Sequence, residues 1–401
     1  MSVAPRPRIA IVDMAVASGS PAGSCVLAQV EGLIDRFDVT VFAERFEPSA
    51  ALAGVEFVRV RAPDRPVLLR YVAFHLSMPL HWLVWRLRGG RADCVQATQG
   101  QLPGAAICYA HFCHRRYLRH QWHQSSGAGV RRAARWAVHR FNAACEALAL
   151  RRARWIVVPS RGLAREIAAE YPQAASKLRV IANPVAIEHF ARPDTFDRAV
   201  RRAELGLGDM QLVLGFMALG DFARKGLGLL IAAVAALPQT QRAELTILVI
   251  GGQPGEIAEY AAIAAGLGVA DHLRFVGLQR EVRPFLWACD VFAFPSIYEI
   301  FSLAVLQAAA AGLPVMVCDG VYGSEEFVVD GHNGWSIERS HDAVMTWLAR
   351  VVADRAALPA MGRAAAESMR PYARDVFQAR WLQAFDAVLR GDDPRALPEA
   401  A

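Results

Sequence analysis

Two adjacent cations, Arg224 and Lys225, and one carboxylate, Glu299, stand out just beyond apolar runs in the second half of the chain. The segment Gly220-Asp221-Phe222-Ala223-Arg224-Lys225-Gly226 lies between a β-type run, Leu212–Met217, and a helical one, Gly226–Ala236. Paired cations at a strand-to-helix turn suit a diphosphate, and Gly226 permits close backbone approach. A solvated basic turn has the same composition. Glu299 sits in Pro295-Ser296-Ile297-Tyr298-Glu299-Ile300-Phe301-Ser302, which feeds the helical run Leu303–Ala311. A carboxylate inside an α/β crevice must accept hydrogen bonds, and sugar hydroxyls can donate them. The amides that follow, at the positive end of a helix, suit phosphate oxygens. The plainer alternative is an acid that merely flanks a helix start.

The first half offers other candidates. Ser18-Gly19-Ser20-Pro21-Ala22-Gly23-Ser24 opens a helix after the first strand, and Gly23 there permits approach to phosphate. Any strand-to-helix turn needs similar residues. Ala110-His111-Phe112 ends a later strand. Cys108, His111, Cys113 and His114 lie close in sequence, but strand alternation separates Cys108 from Cys113 and no second ligand pair exists, so no metal is expected. Between Arg115 and Arg165 there are twelve arginines and one acid, Glu146. With the segment Leu80–Trp85, this resembles a peripheral face for anionic membrane; a phosphorylated glycan cradle or a solvated Arg-rich helix remain open. No reader motif or interleaved aromatic series accompanies the charge, which disfavours nucleic acid.

These residues need a scaffold, and the pattern supplies one. Short β-rich runs alternate with helical ones in two series. The first comprises Arg8–Val12, Val39–Phe42, Phe57–Val60, Cys94–Gln96, Ala106–Ala110, Trp155–Pro159 and Leu178–Ile181. The second comprises Leu212–Met217, Leu245–Ile250, Leu273–Val276, Val291–Pro295 and Pro314–Val317. Continuous apolar strands separated by helices predict an α/β protein of two doubly wound, Rossmann-like domains facing across a cleft. A helix over Val130–Leu150 is predicted to bury Val130, Ala134, Val138, Phe141, Cys145 and Leu148. The expected division is 1–190, 191–372 and a C-terminal helix and tail, 373–401, with Arg374–Leu389 returning to the first domain.

Composition agrees. The 401 residues are 54% hydrophobic, enough for two large cores. Residues 1–200 carry 27 Lys+Arg against 15 Asp+Glu, and the remainder 17 against 23, so the two halves are expected to meet different partners. Arginine is the default cation: only Lys177 and Lys225 are lysines. Seven cysteines without a regular framework point to reduced thiols and a cytosolic protein. The stretch Tyr71–Leu87 contains His75, His81 and Arg86 and is a poor bilayer span.

Taken together, Arg224-Lys225-Gly226, Glu299, Gly312-Leu313-Pro314-Val315 and Gly331-His332-Asn333-Gly334 resemble the nucleotide-sugar half of GT-B glycosyltransferases of family 4, especially the lipopolysaccharide-core glucosyltransferases. Ser160 and Val180-Ile181-Ala182-Asn183-Pro184 match the same family near its hinge. The resemblance implies that Arg224 and Lys225 neutralise a donor diphosphate and that Glu299 holds the donor sugar. The amides of Phe301, Ser302 and Leu303 would lie near the phosphates, the loop Gly277–Arg280 would border the base, and His111 would lie near the sugar. The family's second Glu, eight positions after the first, is Gln307 here; Ile300 and Ser302 replace its usual glycines.

The implied activity is retaining, metal-independent transfer of a hexose from a nucleotide diphosphate sugar to a cell-envelope glycan or lipid-linked acceptor. It would serve lipopolysaccharide or exopolysaccharide biosynthesis in the cytoplasm, at the inner face of the membrane. A sugar-nucleotide epimerase of the same fold, or a non-catalytic partner subunit, are the alternatives.

Overall fold

The computed structural model describes residues 5–63, 67–124 and 129–396. They form two compact units. One runs to Pro184 and resumes at Arg374; the other is Val185–Ala373. The expected division at 190/191 lies six residues beyond the observed one, and the short helix Ile187–Phe190 falls in the second unit.

The main sheet of the first unit has seven strands: β1 (Arg8–Val12), β2 (Asp38–Ala43), β3 (Glu56–Arg59), β4 (Cys94–Thr98), β5 (Ile107–Tyr109), β6 (Trp155–Val158) and β7 (Leu178–Val180). They pair in parallel in the order 3-2-1-4-5-6-7. Its helices include α1 (Pro21–Leu33), α2 (Val67–Leu87), α3 (His114–His120), α4 (Gly129–Arg152) and α5 (Arg161–Glu170). The second unit has β8 (Leu212–Ala218), β9 (Leu245–Gly251), β10 (Leu273–Gly277), β11 (Val291–Phe294), β12 (Val315–Cys318) and β13 (Gly334–Ile337). Their order is 10-9-8-11-12-13, again all parallel. Every residue of β8 and β9 is buried, as both faces of such a sheet are covered by helices. Strand β13 is absent from the two series expected from the sequence. Its four residues follow Asp330-Gly331-His332-Asn333, and only pairing with β12 makes them a strand.

Each sheet runs outward from its central strand and then returns to that strand's other side. The loops after β1 and β4 in the first unit, and after β8 and β11 in the second, are therefore neighbours at a switch point, where α/β sheets bind ligands. In the second unit those loops lead into α6 (Phe222–Lys225) with α7 (Leu227–Ala236), and into α9 (Leu303–Ala310); α8 (Pro254–Gly266) follows β9.

The chain ends through α10 (His341–Ala353), α11 (Leu358–Glu367) and α12 (Arg374–Arg390). Helix α12 packs against α1 in the first unit. Gln378 donates to the Ala28 carbonyl (2.9 Å), and the Trp381 ring lies 4.8 Å from that of Tyr109. A side chain at Gly32 would strike Gln378, so this glycine sets how closely the two helices approach.

Helix α4 departs from the predicted stripe. Val130 and Ala134 are exposed, and the buried positions are Asn142, Ala143, Glu146, Ala149 and Leu150. Its first turns are largely exposed, and the buried acid Glu146 has its own partners to satisfy, which an apolar-periodicity argument does not weigh.

Candidate functional site

The second unit brings Arg224, Lys225 and Glu299 together at its switch point. Strand β8 ends at Ala218, and Asp221 then adopts a left-handed backbone (φ 61°), an unusual state for a residue with a side chain. It opens the single turn α6, whose first amide, on Phe222, donates to Glu256 at the start of α8 (2.5 Å). The Arg224 guanidinium donates to Asp221 (2.7 Å), to the Tyr298 carbonyl (2.8 Å) and to Glu299 Oε1 (2.7 Å). Lys225 Nζ pairs with the same Glu299 oxygen, and the Ser296 hydroxyl donates to it at 3.1 Å. Three donors thus converge on Oε1, and Oε2 takes none of these contacts.

Backbone bonds hold this arrangement. The Ile297 amide donates to the Arg224 carbonyl (2.9 Å), which joins the β8 loop to the β11 loop. The Glu299 amide donates to Gly320 (3.0 Å) and the Tyr322 amide to Glu299 (2.9 Å), which ties Glu299 to the loop after β12. Burial pushes the Lys225 ammonium below its ordinary value, with Glu299 opposing that shift. Burial acts in the same sense on Arg224, but Glu299 and Asp221 outweigh it and the net direction is upward. Two cations and two acids in a half-buried loop pair are electrically balanced among themselves. An incoming diphosphate would compete with Glu299 for the cations and leave the carboxylate free to accept other donors.

The remaining predicted residues of this unit take varied places. Gly226 has φ 87°, and a Cβ there would lie 2.2 Å from the Pro295 carbonyl oxygen; its close approach is to the protein's own backbone. Phe301 is buried, its ring 5.9 Å from that of Tyr372, so only its main chain can serve a ligand. Ser302 caps α9 by accepting from the Val305 amide (3.4 Å), and Leu303 begins the helix. Gln307 is half-buried one turn further along. Arg280 is exposed in the loop after the edge strand β10.

In the first unit Gly23 lies in the first turn of α1, where its amide donates to Ser20 Oγ (3.3 Å). A Cβ at Gly23 would sit 2.0 Å from the Ala15 carbonyl oxygen, so packing alone requires this glycine. His111 follows β5 with its ring 4.0 Å from Tyr109; burial lowers its pKa to about 4, and Nε2 has no hydrogen-bond partner. Among the described residues no group of three or more His, Cys, Asp or Glu is arranged to hold a metal ion.

Several residues of this region escaped the sequence reading. Gln99, after β4, is the other non-glycine residue with positive φ (53°) among the described residues. Oriented with its oxygen toward them, the Gln99 side chain accepts from the His111 (3.0 Å) and Phe112 (2.7 Å) amides, which fixes the loop that carries His111. Asp13 directly follows the central strand; burial raises it to about 6, opposed by Thr98 and by the Ala15 amide. Glu146 accepts from the His114 amide (2.8 Å) and the Tyr171 hydroxyl (2.7 Å), so it holds the start of α3 just beyond His111.

Burial raises Glu146 to about 7. A carboxyl whose pKa is higher folded than unfolded contributes stability that is fully present below its unfolded pKa and lost as pH rises through the folded one. Glu146→Gln, which resembles the protonated acid, is therefore expected to match the wild type at about pH 4. By pH 8 it should gain about 2–3 kcal/mol relative to it. Denaturant unfolding of both proteins at the two pH values checks this; a pH-independent difference would sink it.

Comparison with known proteins adds the family. Residues 22–189 match the model described as Glycosyltransferase Family 4, and residues 212–354 match Glycosyl transferases group 1. The chain belongs to the group 1, family 4 glycosyltransferases. A D-inositol 3-phosphate glycosyltransferase of Streptomyces avermitilis is 32% identical over 238 residues, 57% of this chain and 50% of that protein. The lipopolysaccharide core biosynthesis glycosyltransferase LpsE of Rhizobium meliloti is 37% identical over 142 residues, 35% of this chain and 39% of that protein. The alignments thus span about half or less of these curated relatives' length. The crystal structure of WaaG, a glycosyltransferase involved in lipopolysaccharide biosynthesis, superimposes with a TM-score of 0.74 at 19% identity. That match covers 96% of this chain and 100% of WaaG, which gives this chain the GT-B fold of two Rossmann-like units.

Proposed function

We propose that the protein transfers a hexosyl group, with retention, from a nucleotide diphosphate sugar to a cell-envelope glycan or lipid-linked acceptor. The observation that carries this reading is the convergence of Arg224 and Lys225 on Glu299 at the switch point of the second sheet. Two fixed cations stabilise the negative charge that develops on a leaving nucleoside diphosphate, and they do so without a resident metal. Glu299, with an oxygen not committed to them, accepts hydroxyls of the sugar. The amides at the start of α9 face phosphate oxygens, and the first unit carries the acceptor. HepE of Anabaena, whose fold matches with a TM-score of 0.65 at 18% identity, has a crystal structure in complex with UDP-glucose, and a donor of that class suits the present site. Among the described residues no helix is long and apolar enough to cross a membrane. The proposed setting is the cytoplasm, at the inner face of the membrane where lipid-linked acceptors are made.

Ligand-linked stabilisation tests the donor directly. Against a panel of UDP-, GDP- and ADP-sugars, one class is expected to raise the melting temperature, by an amount equivalent to about 2.7 kcal/mol at a hundredfold excess over Kd. The same sugar should leave Lys225→Ala unmoved. A chain indifferent to every nucleotide diphosphate sugar would overturn the proposal.

A further inference from the structure

Helix α2 is mostly apolar, its charged side chains being Arg70, which pairs with Glu44 (2.8 Å), and Arg86. It carries no carboxylate, and Phe74, Met78 and Trp85 on one side are buried in the core of the first unit. The other side exposes Leu69 (50%), Leu76 (68%), Leu80 (64%), Leu83 (54%) and Leu87 (79%). Their spacing of seven, four, three and four residues places all five on one stripe. Among the described residues no other element exposes more than two large apolar side chains. A water-facing helix surface ordinarily carries charge, so a leucine stripe of this length marks a contact surface.

What the stripe meets is indicated by the charge beside it. A cleft of about 1250 Å³ opens next to α2 at the amino-terminal edge of the sheet, remote from the switch point; Leu80 of the stripe and the neighbouring exposed Val84 line it. Its cations are Arg6, Arg8, Arg59, Arg88 and Arg91; its acids are Asp38 and Glu56. Glu56 is already engaged by the Thr40 hydroxyl (2.8 Å) and the Trp85 indole (3.0 Å). Arg6 donates to the Ile34 carbonyl (3.1 Å), whereas the side chains of Arg8, Arg59, Arg88 and Arg91 have no carboxylate partner among the described residues. Unneutralised guanidinium groups that line one cleft repel one another and favour an anion. Leucines flanked by arginines, with no acid on the helix, are the composition of a helix that lies in a bilayer interface.

We propose that α2 docks the protein on an anionic phospholipid bilayer, the leucine stripe entering the acyl boundary and the arginine cleft taking lipid phosphates. This deepens the membrane setting of the function proposed above and is independent of the donor chemistry. Of the two segments that the sequence reading joined, it assigns the contact to the helix that carries Leu80–Trp85 rather than to the Arg115–Arg165 stretch.

Co-sedimentation of the full chain with vesicles tests it. Phosphatidylcholine containing about 30% phosphatidylglycerol should carry the protein down, and pure phosphatidylcholine should not. Leu76→Glu with Leu83→Glu should abolish the binding, and Arg88→Ala with Arg91→Ala should weaken it roughly 30-fold. Circular dichroism and donor-induced stabilisation in vesicle-free solution should match the wild type, so a failure of the transfer reading would show as lost donor binding alone. Three results overturn the proposal. The first is a wild type that stays in the supernatant with anionic vesicles. The second is loss of binding in Arg131→Glu with Arg135→Glu on α4 while the α2 variants retain it. The third is a dimer in sedimentation velocity that Leu76→Glu with Leu83→Glu makes monomeric, which would assign the stripe to a second copy of this chain.

Discussion

Replacing Lys225 by alanine is expected to lower kcat for sugar transfer by about 10²–10³-fold while the protein stays folded. The magnitude is that of removing one preorganised charge from a site where negative charge develops in the transition state. The intact fold follows from geometry. Lys225 has a single polar partner, Glu299, and that carboxylate keeps Arg224 at 2.7 Å and Ser296 at 3.1 Å when the lysine is gone. No buried charge is orphaned, which is the usual route by which deleting half of an ion pair unfolds a protein. Arg224→Ala should lose transfer to a similar degree but also some stability, because its guanidinium holds Asp221 and the Tyr298 carbonyl as well. Initial rates of transfer, read beside melting curves of both variants, separate the two effects. Undiminished turnover in Lys225→Ala would remove the diphosphate role from this loop.

Gly226→Ala is expected to destabilise the second unit by about 3–5 kcal/mol. Its φ of 87° is costly for any residue with a side chain, and the added Cβ would stand 2.2 Å from the Pro295 carbonyl oxygen. That oxygen belongs to the β11 loop and also accepts from Arg339 (2.9 Å), so it is not free to withdraw. The loss is a large fraction of ordinary domain stability, and chemical denaturation should detect it without any ligand. The result decides between two uses of one glycine. If Gly226 were needed only for approach to a diphosphate, the alanine variant would unfold at the wild-type denaturant concentration and lose donor affinity alone.

Much of the scaffold was legible in the sequence, because buried parallel strands announce themselves as short apolar runs between amphipathic helices. Leu212–Ala218 and Leu245–Gly251 are buried at every position, and apolar periodicity finds such strands readily. Strand β13 escaped because Trp335-Ser336-Ile337 is too short to signal on its own and is defined by its partner β12. The basic loop and the acidic loop were each visible as local composition at a strand-to-helix turn. Their meeting was implied only by family resemblance. Glu146 was counted as the lone acid of a basic stretch, and nothing local distinguishes a solvated glutamate from one buried under α3.

The sequence by itself determined the α/β class, the two series of strands and helices, the family, and the residue types available for binding a diphosphate. Those depend on local propensity and on the alternation of apolar runs, which are properties of neighbours in the chain. Only the tertiary structure decided that Arg224, Lys225 and Ser296 converge on one oxygen of Glu299, that Gly23 and Gly226 answer to backbone carbonyls of their own units, and that the leucines of α2 face outward beside an arginine cleft. Strand order brings residues some 75 positions apart to the same switch point. Which face of a helix is covered depends on what packs against it, and for α2, with large apolar side chains on both its buried and its exposed face, the periodicity that usually reveals the buried face is blurred.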